Sequence, residues 1–169
     1  MQNELCGIDL LVAGGNIASH HVADLRPLLI GQPLEVGFKG IFREGATVFA
    51  RPEKDPEFDP KRFLPRPLFE SPEMKVVRAT FRAGHFIPVH APDVHVALYI
   101  VSGEGEVVAG KERRSVAAGD LVVVPRKVRR GVKAKTDMIV LHVVSPSPTQ
   151  ADHGDMGERI ARGEFELPA

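Results

Sequence analysis

An all-β fold is predicted by one stretch, Gly84 to Pro125, through its short apolar runs, the glycines that part them and their regular spacing. The runs VALYIV, EVVAG, RSVAAG and LVVVP are too short for most helices and have the length of strands. Ser102-Gly103-Glu104-Gly105 predicts a tight hairpin, because glycine reaches positive φ without steric cost. Ala109-Gly110-Lys111-Glu112 and Ala118-Gly119-Asp120 repeat the signal. Three reversals in about forty residues predict an antiparallel meander that closes into a barrel or sandwich.

Taken in order, residues 1–73 form an N-terminal extension, 74–146 the barrel core and 147–169 a tail. Leu5 to Ala13 is expected as a strand ended by Gly14-Gly15-Asn16, and Ser19 to Ile30 as a short helix broken at Pro27. Leu34 to Arg51 predicts a hairpin turning at Glu44-Gly45. Arg51 to Pro72 is rich in proline and charge and is expected as an extended loop on the barrel surface, anchored by Phe58, Phe63 and Phe69. MKVVRATFRAG, from Met74, starts the barrel. Val128 to Ala134 is a short basic segment, and Met138 to Val144 is a buried strand closing the sheet. Asp152 to Glu164 predicts a terminal helix, weakened in its first turns by Gly154 and Gly157.

Composition narrows the function classes. A hydrophobic content of 43% excludes wholesale disorder. Lys+Arg and Asp+Glu both number 22, and the N-terminal segment lacks a basic recognition helix, so nucleic acid is not expected as a partner. The single cysteine, Cys6, allows no intramolecular disulfide and fits a reducing, cytoplasmic setting. Ile8 to Ala13 is a poor signal peptide, with Glu4 before it and Asp9 inside it, and no run has the length of a membrane span.

The stretch resembles the cupin superfamily, the small double-stranded β-helix or jelly-roll barrels. Gly84, His90 and Gly103 fall on the register of the first cupin motif, G-x5-H-x-H-x3-E-x6-G, and Gly119 and Pro125 on that of the second, G-x5-P-x-G-x2-H-x3-N. The resemblance implies a metal held by two histidines and a carboxylate from the first motif and a histidine from the second. Of these donors only His90 is present: Pro92, Val96 and Arg130 stand at the other three positions. Lys127 and Ala134 replace the second motif's glycine and asparagine. The resemblance also implies a homodimer.

His90 is the leading site residue, since a neutral imidazole binds a metal or serves as a base near neutral pH. Arg130 places a fixed guanidinium where a metal ligand is expected, which suits a carboxylate or phosphate. A small anion, a carboxylate or sugar acid, between Arg130 and His90 is the leading expectation, with acid/base chemistry open to His90. The alternative is a rearranged divalent site (zinc, nickel, iron or manganese) built from His90, His95 and His142 and serving an oxygenase or isomerase. A non-catalytic sensor or interaction module is the third reading. Alternation turns His95 outward if Val96 points inward, whereas the apolar neighbours of His142 leave its direction open. Tyr99 is expected to face outward, and His20, His21, His85 and His153 are assigned to surface or loops.

Overall fold

The computed structural model describes residues 47–167. The strand and helix expected ahead of Pro33, most of the hairpin expected over Leu34 to Arg51, and Cys6 lie outside the described residues. The described part holds nine strands: β1 Leu64–Glu70, β2 Lys75–Phe81, β3 Phe86–His90, β4 His95–Ser102, β5 Glu104–Ala109, β6 Glu112–Ala117, β7 Leu121–Val124, β8 Arg130–Ala134 and β9 Met138–Ser145. They form a five-stranded sheet, β1-β2-β9-β4-β7, and a four-stranded sheet, β3-β8-β5-β6, with every pairing antiparallel. A 3-10 turn at Gln150–Asp152 and one helix, α1 Met156–Arg162, follow. Among the described residues no helix is long and apolar enough to cross a membrane.

Period-two alternation builds the core. In β4, Val96, Leu98 and Ile100 are buried, while His95 ahead of them and Tyr99 between Leu98 and Ile100 are exposed. They meet Phe81 and Ala79 of β2, Met138 and Val140 of β9, and Val107 and Val132 of the opposite sheet. β9 lies between β2 and β4 and is paired with both along nearly its whole length, and its Met138, Val140 and Val144 are buried.

The glycine signals mark reversals correctly but only one is a hairpin. Ala109 pairs with Glu112 across Gly110-Lys111, joining β5 to β6 in one sheet. At Gly103 and Gly119 the chain instead passes from one sheet to the other. The predicted meander is thus replaced by strands that alternate between facing sheets. A local turn residue specifies a change of direction, and the pairing partner is a tertiary choice. Gly103 sits at φ +81, and a Cβ there would lie 2.2 Å from the carbonyl oxygen of Asp137.

A second correction concerns the proline-rich stretch. Its second half is β1, which pairs with β2 from Leu64↔Thr80 to Glu70↔Lys75, so the sheet begins ahead of the expected boundary at Met74. β1 lies at the edge of the sheet, where the missing N–H groups of Pro65 and Pro67 cost no ladder bond. The first half is the expected surface strap. Arg78 and Thr80, buried on the outer face of β2, donate to the carbonyls of Lys54 and Glu57. Phe63 stacks on Phe81, with ring centroids 5.4 Å apart, and Arg82 lies 4.6 Å over the ring of Phe58.

The tail is tied to the second sheet. Arg159 of α1 is 2% exposed and donates to the carbonyl of Val89 at 2.8 Å. The Val89 N–H donates to Phe165 at 2.8 Å, and the Phe165 ring meets Phe86 edge to face. The helix starts later than expected, at Met156, and ends at Gly163 in the left-handed region.

Two substitutions test this backbone account. Gly103→Ala forces a positive φ on an L-residue and a backbone clash, and is expected to cost at least about 3 kcal/mol in a urea titration. Lys127 occupies φ +61, where the cupin motif has glycine, while its N–H donates to Pro92 at 2.8 Å. Lys127→Gly removes that strain against a smaller entropy cost and is expected to leave stability unchanged or raise it by up to about 1 kcal/mol. A loss of stability in Lys127→Gly would contradict this account.

Candidate functional site

Between the two sheets lies a cavity of about 390 Å³. Alternation and register give it an ordered wall. Val77, His142 and Leu98 are directly paired neighbours across β2, β9 and β4, and all three line it. One rung away, Lys75, Val144 and Val96 do the same. From the facing sheet, Ile87 pairs with Val132 and His90 with Arg130, and these four also line it. Pro65 and Pro67 of β1 and Pro148, Asp152, His153 and Met156 of the tail complete the wall.

The positions singled out by the cupin motifs converge here: His90, Pro92, Val96 and Arg130 all line the cavity. His142, whose direction the sequence left open, faces the same space. His95 does not. It is exposed on the other face of β4, because Val96 beside it points inward, so the His90, His95 and His142 constellation is not assembled. Tyr99 is exposed, as expected. Three lining residues were missed. Lys75 was legible as the next inward position before Val77 and Ala79. Asp152 and His153 reach the cavity only because the tail folds back over it, and no local pattern announces that.

The electrostatics centre on Arg130. It is 8% exposed and donates through Nη1 to the carbonyl of Val94 at 2.8 Å. No carboxylate among the described residues forms an ion pair with it. Burial pushes its pKa down to about 10, so it stays charged at neutral pH, and Asp152 partly opposes the shift. The Asp152 oxygens are engaged elsewhere: Oδ1 accepts from the Asp93 N–H at 2.9 Å, and Oδ2 from the Thr149 N–H and hydroxyl at 2.8 Å each.

Of the three cavity histidines, His90 and His142 are held neutral, and burial lowers His153 as well. Burial lowers His90 to about 4, against a bond to the Pro88 carbonyl and with help from the Arg130 charge. That bond, 2.7 Å from Nδ1, fixes the proton on Nδ1, since a carbonyl only accepts, and leaves a lone pair on Nε2. Burial likewise lowers His142 to about 4, with Arg130 and then His90 adding to it, and its buried Nε2 has no hydrogen-bond partner. Lys75 is paired with Glu70 at 3.1 Å.

The metal that the fold family implies does not fit this donor set. Three imidazoles line the cavity, His90, His142 and His153, but no group of three or more potential ligands is gathered closely enough to hold a metal ion among the described residues. Of the other motif positions, Pro92 and Val96 offer no donor, and the Arg130 guanidinium suppresses positive charge on His90 and His142. No step is assigned to a metal.

The neutral histidines set a pH dependence. Unfolded, each titrates near 6.5; folded, each titrates near 4. The unfolded chain therefore binds more protons between those values, and stability falls as pH drops through that window. The loss is on the order of 2 to 3 kcal/mol per histidine. Asp137, held low by the Arg82 guanidinium, and Asp152, held low by the Thr149 N–H, yield only under more acidic conditions. Urea midpoints measured from pH 7 to pH 4.5 are expected to fall in the wild type and to fall less in His142→Gln; equal slopes would contradict the assignment.

The cupin domain family matches residues 77–145. An RmlC-like cupin from Desulfovibrio desulfuricans is 34% identical, with 56% of this chain and 92% of that chain covered and a TM-score of 0.52. An RmlC-like cupin from Shewanella frigidimarina is 27% identical over 59% of this chain and 90% of that one, with a TM-score of 0.53. A Klebsiella pneumoniae protein with a double-stranded β-helix domain, 20% identical over 58% and 89%, shares the fold at a TM-score of 0.53. No curated protein matches. The two facing sheets, the motif glycines at their turns and the motif positions gathered on one cavity agree with these likenesses: the chain is a member of the cupin superfamily.

Proposed function

We propose that this cupin binds a small organic anion, a carboxylate or sugar acid, inside the barrel, in place of the metal of its family. Arg130 is the counter-charge, and His90 and His142 are neutral acceptors for polar hydrogens of the ligand. The observation that carries this reading is the buried Arg130 guanidinium, which lines the cavity with no ion-pair partner among the described residues. A buried charge is costly unless it is paired, and a carboxylate would supply two parallel hydrogen bonds. The unpartnered Nε2 of His142 supports the same reading, since a ligand hydroxyl would satisfy it.

Thermal-shift measurements on metal-free protein test it. Millimolar carboxylates are expected to raise the melting temperature of the wild type, and Arg130→Gln is expected to abolish the rise. Near-stoichiometric metal in purified protein, lost in His90→Ala, would overturn this reading in favour of a metal-dependent oxygenase or isomerase.

The proposal extends to a homodimer. Leu121, Val123 and Tyr99 are 62%, 65% and 44% exposed, and the cross-strand pairs Tyr99↔Leu121 and Ala97↔Val123 place them side by side on the outer face. Covering such a patch with a second copy would bury apolar surface. Sedimentation at micromolar concentration is expected to show a dimer in the wild type and a monomer in Leu121→Lys/Val123→Lys.

A further inference from the structure

Resting on the anion reading above, we infer that the ligand is an amphipathic monocarboxylic acid with a hydrocarbon body, aliphatic or aryl, and not a sugar acid. The cavity is segregated along the strands. Arg130 and His90 are directly paired, and His142 across the cavity is near enough to feel both, which makes one polar level. Beyond it, about 6 to 7 Å further along the strands, the wall is Phe63, Pro65, Ala79, Ile87 and Val132, without a polar side chain among them. The backbone of β2, β9, β4 and β8 offers little there either, because each is paired on both sides and uses its N–H and C=O groups in the ladders.

A sugar acid seated on Arg130 would push several hydroxyls into that apolar end. Each buried hydroxyl left unpaired weakens binding roughly tenfold or more. At the opposite end Lys75 is engaged by Glu70, and Asp152 by Asp93 and Thr149, so the His153 ring beside them could satisfy one ligand hydroxyl and not several. A hydrocarbon body has no such requirement and gains from every methylene that leaves water. The volume of about 390 Å³ gives room on the order of ten non-hydrogen atoms.

The test is calorimetric titration of the full chain at pH 7 with acetate, butyrate, hexanoate and octanoate, beside gluconate and hexanol. Affinity is expected to rise about fourfold per added methylene and to level off near octanoate. Gluconate and hexanol are each expected to bind at least about tenfold more weakly than hexanoate. Ala79→Leu, with its fold checked by circular dichroism, is expected to shift the plateau to shorter acids; the wild-type series decides the question if that variant does not fold. Affinity independent of chain length, or gluconate as tight as hexanoate, overturns the hydrocarbon inference. The anion reading still stands in that case if Arg130→Gln removes acid binding. Hexanol as tight as hexanoate, with Arg130→Gln without effect, overturns both, and so does the absence of binding by any acid.

Discussion

The pairing of β9 with β2 on one side and β4 on the other is the constraint on which the arrangement depends. Side chains alternate with a period of two, so the register of this one strand decides what the cavity contains. In the observed register Val140 and Val144 are buried and His142 lines the cavity between Val77 and Leu98. A slip by one residue would replace the imidazole with Leu141 or Val143 and turn His142 to the outer face, away from the cavity. Because β9 has partners on both sides, such a slip would break two ladders together.

The chemistry follows from what the two sheets hold in common. One guanidinium, from the strand paired with that of His90, supplies the positive charge. Their own burial, and after it the field of this guanidinium, keep His90 and His142 uncharged. The polar level therefore offers a guanidinium and two neutral imidazoles, a combination that complements an acid better than a metal ion. Asp152 is near enough to stabilise the arginine, yet its oxygens are held by Thr149 and Asp93 and do not neutralise it.

Much of this was legible in the sequence, for definite reasons. Strands β4 to β7 announce themselves by short apolar runs between glycines, and motif spacing alone put His90 and Arg130 on the inner face. His142 was ambiguous because apolar residues flank it on both parities, and only the partners of β9 resolve them. β1 was hidden because prolines read as loop, although an edge strand tolerates them. The sheet crossings at Gly103 and Gly119 were read as hairpins because a glycine encodes the bend and not the strand that receives it. Asp152 and His153 reach the cavity through the anchoring of Arg159 beneath β3, a contact between residues seventy apart in sequence.

The prolines of β1 have an effect beyond this one chain. Pro65 and Pro67 are two apart, so both nitrogens face the same direction, away from β2. An incoming strand would meet carbonyl oxygens on that flank but no N–H at either position, and could not zip a continuous ladder onto it. Growth of the five-stranded sheet by templated strand addition, the first step toward a cross-β fibril, is blocked on that side. It is left only the short opposite flank at Leu121–Val124, four residues long.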